Sequence, residues 1–339
     1  MKPLAAHLLL LLSLTGLLPL PARAEAPTPR IAMLLFRGCE EACRGFQGYF
    51  RQRGIAAEFI LRDAAQDKRR IPGLVDEIRR LKPDLVVTWG SSVTLAAVGP
   101  WNGADPRRHI TDLPVIFMIV SDPVALGVIE APDKPRRNVT GTLYLLPMET
   151  QIKAARSYLD FKRVGYILNE IEPNSITARD DLRRLATAQG FTLVERSLPV
   201  SQAGAPDARA IPGILDAFRQ ERVDLIYQGP DTFLNSRREQ LTDGALALGI
   251  PVFAAAENPV QTARALLGVV NKYEDVGRFT AAQALRILRD KTPPDRVPVE
   301  LPRNFSYLIN LPVALQLGRY PPLKLLDVAE IVGVQSEDR

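Results

Sequence analysis

Two cysteines and two histidines are all that this 339-residue chain holds of the residues that most often carry metals, thiol chemistry or proton transfer. His7 lies in an N-terminal apolar run expected to be removed, so His109, in a loop-like stretch beside Arg107 and Arg108, is the sole histidine of the mature chain. A Cys/His metal cluster has no ligands here. A Ser-His-Asp hydrolase would need that loop histidine as its base, with no G-x-S-x-G turn to present a nucleophile. A Walker loop and a G-x-G-x-x-G after a strand are also missing. The expectation is a protein without catalytic residues, cofactor or metal.

Charge of one sign is scarce too. Lys and Arg total 43 against 38 Asp and Glu, a formal +5, and loss of Lys2 and Arg23 with the N-terminus takes two charges off that balance. Bases and acids are mixed along the helices, which is no nucleic-acid footprint. Long apolar runs are limited to Leu8–Leu20, interrupted by Pro19. About 20 residues are needed to span a bilayer. With Lys2 ahead and Ala22-Arg23-Ala24 before Glu25, residues 1–24 read as a secretory signal cleaved after Ala24. No cysteine stands at that point, so a lipid anchor is not expected.

Cys39 and Cys43 lie i to i+4 in GCEEACRGF, where the chain passes from its first strand to its first helix. One helical turn brings such side chains to one face. An exported chain makes a disulfide plausible, worth roughly 2 kcal/mol in the chain-entropy model; the alternative is two reduced, packed thiols.

What the chain does contain is one α/β unit stated twice. Arg30 opens RIAMLLF and Arg163 opens RVGYILN, an offset of 133. IPGLVDEIRRLKPDLVVTWG from Ile71 returns as IPGILDAFRQERVDLIYQGP from Ile211, an offset of 140, keeping Asp76 and Asp216 in the helix and Asp84 and Asp224 at the strand entry. LPVIFMIVSDPV from Leu113 returns as IPVFAAAENPV from Ile250. Short apolar strands alternate with amphipathic helices, the pattern of parallel sheets covered on both faces. The fold class is α/β, two Rossmann-like lobes joined by a multi-strand hinge. YEDVGRFTAAQALRILRDK, after the second sheet, has no counterpart after the first and is expected to return to cover the first lobe. Lobe 1 then comprises 25–143 and 271–294, and lobe 2 comprises 144–270 and 295–339. A single helix is expected over 233–248.

In open α/β sheets ligands sit beyond the carboxyl ends of the strands, so two such lobes face a cleft. The strand ends supply its candidates. In TWGSS, Ser91 or Ser92 caps a helix whose free N–H groups suit an anion, or is a cap and nothing more. Trp89 stacks a planar group or packs in the core. Asp122, in VSDPV, takes an ammonium group or caps the turn before Pro123. Arg37 offers a carboxylate its fork of donors or stands exposed at the rim. From the second unit come Asn174 and Ser175 in NEIEPNS, Asp231 and Asn235 in QGPDTFLN, and Glu257 in AAAEN. Acids facing helix-start donors suit an amphoteric solute such as an amino acid, because a buried charge needs a partner.

The ordered segments DLVVTWGSSVTLAA, PVIFMIVSDPVALGVI, NVTG, RVGYILNEIEPNS, DLIYQGPDTF, PVFAAAEN, YEDVGRFTAAQALRIL and INLPVALQLG resemble the ABC-transporter substrate-binding proteins of the tryptophan/tyrosine type, over nearly the whole mature chain. That resemblance implies the type I periplasmic binding protein fold and a monomeric, periplasmic receptor. Such a receptor closes on a small solute and delivers it to an inner-membrane permease with a cytoplasmic ATPase. The family's ligand positions fall on Ser91, Ser92, Asp122, Ser175, Asp231 and Glu257. Arg37 with the cysteine pair departs from the family's simple amino-acid binders and leaves room for a more acidic solute. A sensor presenting its closed form to a membrane receptor is the alternative. A regulator of similar fold would need a helix-turn-helix where the export signal stands.

Overall fold

Residues 27–201 and 204–333 are described by the structure, a computed structural model. The expected signal sequence, 1–24, lies outside them. The chain opens with β1 (Arg30–Leu35), α1 (Glu41–Gln52), β2 (Glu58–Asp63), α2 (Ile71–Leu81), β3 (Leu85–Trp89), α3 (Ser91–Val98), β4 (Val115–Val120) and β5 (Val139–Leu143). It continues with α4 (Met148–Tyr158), β6 (Arg163–Leu168), α5 (Pro173–Gln189), β7 (Thr192–Ser197), α6 (Ile211–Gln220) and β8 (Leu225–Gln228). Then come α7 (Thr232–Ser236), α8 (Arg238–Ala247), β9 (Val252–Ala254), α9 (Asn258–Gln261) and β10 (Leu267–Val270). The last elements are α10 (Tyr273–Leu288), β11 (Ser306–Asn310), α11 (Leu311–Leu317), α12 (Leu323–Leu326) and β12 (Ala329–Val332).

The first sheet has the order β2-β1-β3-β4-β5, all parallel, and the second contains the same order as β7-β6-β8-β9-β10. β11 adds to β10 antiparallel, and β12 to β11 parallel. Central strands such as LVVTW and VIFMIV are buried throughout, as helices on both faces require. The repeated aspartates have the same local task in each lobe. Asp84 Oδ2 accepts the backbone N–H of Arg30 at 2.8 Å, and Asp224 Oδ2 that of Arg163 at 2.9 Å, so each ties the start of β3 or β8 to the start of the neighbouring strand. The repeat runs further upstream than Ile-Pro-Gly. Asp67 and Asp207 each accept an N–H two residues on, from Arg69 and Arg209, at 3.0 Å, and start a 3₁₀ turn that leads into α2 or α6.

α10 packs against α1, β4 and β5. The two helices touch backbone to backbone. A Cβ at Gly45 would lie 2.1 Å from the Glu274 carbonyl oxygen, and one at Gly277 would lie 1.9 Å from that of Ala42. Cys39 and Cys43 are joined in a disulfide at the start of α1, with Cα atoms 5.1 Å apart. Among the described residues, no helix is long and apolar enough to cross a membrane.

Three crossings connect the lobes: after β5, after β10, and after residue 300. Asn271 Nδ2 donates to the Tyr144 carbonyl at 3.0 Å, which links the first two crossings. The third falls later than the expected 294/295 boundary. Val297 and Val299 are buried in the first lobe's core, the Thr140 hydroxyl donates to the Val297 carbonyl at 2.6 Å, and Leu143 N–H to that of Glu300 at 2.9 Å. This stretch of the tail therefore runs beside β5. The single helix expected over 233–248 is two helices, because the backbone at Arg237 leaves helical values (φ −113°, ψ 19°).

Candidate functional site

In each sheet the strand order reverses beside the first strand, between β1 and β3 in one lobe and between β6 and β8 in the other. The crevice at such a point is where open α/β sheets receive ligands. Residues that leave these strands meet in one cleft. Arg37 follows β1, Trp89 ends β3, Gly90 and Ser91 start α3, and Ile119 and Ser121 come from the end of β4. Opposite them stand Asn174 of α5, Gln228 at the end of β8, Asp231 and Asn235. Tyr144 and Tyr273, on two of the crossings, close the hinge side with rings edge to face at 5.8 Å. The cleft holds about 450 Å³ of empty space and is open to solvent.

Polar atoms that are buried without a protein partner are rare in folded chains. Five such atoms belong to residues that line this cleft, on both walls. On the lobe 1 side these are Arg37 Nη2 and Trp89 Nε1, both donors. On the lobe 2 side they are Gln228 Oε1, Asp231 Oδ2 and Asn235 Oδ1, all acceptors. Two of these side chains are also tied to the protein. Arg37 Nε donates to Glu40 Oε1 at 2.7 Å, and its guanidinium carbon lies 5.0 Å from the Trp89 ring centroid, a cation–π contact. Asp231 caps α7 by accepting the Leu234 N–H on Oδ1 at 2.6 Å.

Burial, and after it the negative charge of Glu172, raise the Asp231 carboxyl from its ordinary value to about 7. Glu172 is itself buried. Its Oε2 accepts the Thr232 N–H at 3.0 Å, and its Oε1 lies 3.8 Å from Lys68 Nζ of the other lobe. Burial also raises the Tyr144 hydroxyl to about 12, so it stays a neutral donor, 3.3 Å from Ser121 Oγ. Ile119 has φ +58° where the pairing of β4 with β5 shifts register. A β-branched residue in the left-handed region is strained, and such outliers gather at functional sites.

Six sequence candidates line this cleft: Arg37, Trp89, Ser91, Asn174, Asp231 and Asn235. The other four do not. Ser92 is half-buried one step along α3, outside the lining. Asp122 spends its carboxylate on its own turn, accepting the N–H groups of Val124 at 3.0 Å and Ala125 at 2.9 Å, and lines a neighbouring chamber with Leu143 and Leu145. Ser175 is wholly buried, with its hydroxyl taken by the Asn169 N–H at 3.0 Å and the Tyr166 hydroxyl at 3.1 Å. Glu257 accepts the Tyr273 N–H at 2.6 Å and so holds the start of α10. Sequence reasoning missed Gln228, Tyr144 and Tyr273. Gln228 was within reach, because it ends β8 as Trp89 ends β3; the tyrosines lie on hinge segments that carry no repeat signal.

The arrangement is suited to holding a solute. His109 lies apart, its Nδ1 accepting the Asp105 N–H at 2.9 Å in the loop after α3. Among the described residues no group of three or more His, Cys, Asp or Glu is placed to hold a metal ion.

Comparison with known proteins agrees with this geometry. Tyrosine-binding protein of Clostridioides difficile (strain R20291) is 26% identical over 201 residues, a match that spans 59% of this chain and only 55% of that protein. Two solved structures share the fold. One is a conserved domain protein from Vibrio cholerae (TM-score 0.77, 23% identity, 90% of this chain and 99% of that one). The other is an ABC domain from Streptococcus pneumonia in complex with L-Trp (TM-score 0.74, 21% identity, 89% and 99%). Residues 35–332 match the family model described as "ABC transporter substrate binding protein". Two repeated lobes facing across a cleft are thus accounted for by descent as well as by physics: the chain belongs to the ABC transporter substrate-binding proteins, a family of solute binders that carry out no bond chemistry.

Proposed function

We propose that this chain is the periplasmic receptor of an ABC importer, which captures a small amphoteric solute of the amino-acid type between its lobes and delivers it to a membrane permease driven by a cytoplasmic ATPase. The observation that carries the reading is the division of the buried unpartnered atoms that line the cleft, donors on the lobe 1 wall and acceptors on the lobe 2 wall. A zwitterion matches that division. Its carboxylate faces Arg37, Trp89 Nε1 and the start of α3, and its ammonium group faces Asp231, Gln228 and Asn235. The curated relative named for tyrosine and the L-Trp complex favour an amino acid over a sugar.

Binding energy in such a receptor goes into closing the lobes. Arg37, Trp89, Ser91, Asn174, Asp231 and Asn235 form the binding set, and the receptor acts as a monomer exported after cleavage at Ala24. A thermal-shift screen of the protein amino acids and small carboxylates tests the reading. At least one is expected to raise the melting temperature, by mass action on the folded state. No rise with any solute, where a control receptor responds to its own, refutes it. Mass spectrometry of solute retained through purification gives an independent identification.

A further inference from the structure

Arg37 reaches the cleft from the connection between β1 and α1, and within that connection its recorded side-chain hydrogen bond is the one to Glu40. Gly38 has φ +84°, a conformation glycine enters freely and leaves as freely. The Arg37 side chain is nine-tenths buried, its Nε on Glu40 and its Nη2 without a partner. Anchorage comes one residue later. Cys39 is bonded to Cys43, and its carbonyl accepts Arg44 Nη1 at 3.1 Å. Cys43 is wholly buried on α1, and α1 lies against α10 through the backbone contacts at Gly45 and Gly277. A stiff path therefore runs from the helix pair through one covalent bond to the base of the Arg37 connection.

We propose that the Cys39–Cys43 disulfide positions Arg37 for a solute carboxylate, so that the oxidised chain holds carboxylate-bearing solutes more tightly than the reduced chain. The proposal rests on the reading of the cleft as an amino-acid site. A dithiol reductant attacks the Sγ of Cys39, the less buried of the two residues, and the S–S bond breaks with Cys43 Sγ as leaving group. The reductant's second thiol then displaces Cys39 Sγ from the mixed disulfide. The reductant closes to its own disulfide, and the chain gains two electrons and two protons as two thiols. Glu40 and Glu41 each keep one buried carboxylate oxygen without a partner. Once the connection is released, these oxygens compete with the solute for the guanidinium.

Two readouts test it on the full mature chain. In a Trp101→Phe background Trp89 is the one tryptophan left. Its emission reports the guanidinium over its ring without any solute. Reduction by dithiothreitol, and the Cys39→Ser/Cys43→Ser double variant, are both expected to shift that emission and its quenching by acrylamide, and Arg37→Met is expected to abolish the difference.

Calorimetry then takes the amino acid that binds the oxidised chain most tightly, together with its carboxamide analogue. The acid is expected to lose about tenfold in affinity on reduction, the equivalent of one charge-assisted hydrogen bond, and the carboxamide to bind both forms alike. Emission that ignores reduction overturns the proposal whether or not any solute binds. So does an unchanged affinity for the acid beside a lower melting temperature, which makes the bond a staple of α1 alone. If no amino acid binds the oxidised chain, the reading of the cleft has failed, and the emission experiment still decides whether the disulfide places Arg37.

Discussion

Ser91 and Asp231 occupy the same position in the two repeats, 140 residues apart, and both line the cleft. Each stands just past the end of an equivalent strand, at the start of a helix. The chemistry differs. Ser91 begins α3 behind Gly90, whose φ of +87° turns the chain, and its hydroxyl receives the Ser121 N–H at 3.3 Å. Asp231 caps α7 with one oxygen and leaves the other in the cleft. One duplicated position has thus become a donor-rich end in one lobe and an acceptor in the other, and a site built from equal halves acquires a direction.

Asp231 is the test of that direction. Asp231→Asn keeps the shape and the cap but removes the negative charge, and should weaken a solute that bears an ammonium group by about 2 kcal/mol, the scale of an unpaired buried charge. Titration calorimetry with the best-binding amino acid and its deaminated analogue checks this. The analogue should lose far less, and equal losses would remove Asp231 from contact with the ammonium group.

The same carboxyl makes stability depend on pH. In the folded chain it is raised to about 7, whereas an unfolded aspartate titrates near ~3.9. The folded state therefore holds a proton that the unfolded chain has released. This contribution is fully present below pH ~4 and is lost as pH rises through about 7. Denaturant unfolding from pH 4 to 8 should show this fall, and Asp231→Asn should flatten it. A solute ammonium favours the ionised form, so affinity should rise with pH through the same window, with proton release visible as a dependence of binding heat on buffer.

Lys68 and Glu172 connect the lobes across the cleft mouth at 3.8 Å. The lysine is about half exposed, so the pair itself contributes little, of order 1 kcal/mol or less. Lys68→Met should weaken solute binding about two- to fivefold, and chiefly through faster release, since the contact exists only when the lobes meet. Stopped-flow measurement of both rate constants decides it; a change confined to the association rate would contradict a closing role.

The α1–α10 contact should tolerate no side chain. Gly277→Ala puts a methyl group 1.9 Å from a carbonyl oxygen of α1, and the helices must separate to admit it. A loss of about 1–3 kcal/mol is expected. Chemical denaturation measures it, and Gly213→Ala, where nothing lies within 4 Å of the new methyl, serves as control.

Much of the architecture was legible because repetition is a strong signal. Ile-Pro-Gly, Asp84 with Asp224 and the strand runs after them are local patterns that dictate local structure, and the lobes follow from them. The tail was harder. Val297 and Val299 look alike whichever lobe they join, and only their fit beside β5 decides. The break at Arg237 carries no proline or glycine to announce it.

Read alone, the residues determined that the chain folds as two equivalent α/β lobes and that polar side chains collect at strand ends, because periodicity and turn chemistry act over a few residues. Tertiary structure decided which of those side chains reach the cleft. Asp122, Ser175 and Glu257 satisfy backbone groups elsewhere, whereas Arg37, Trp89, Asp231 and Asn235 keep a buried atom free on facing walls. The physical reason is that a polar group's partner depends on what lies beside it in space: Asp122 and Ser175 meet backbone N–H groups of their own lobe and Glu257 meets one at a crossing of the hinge, whereas the free atoms face the cleft.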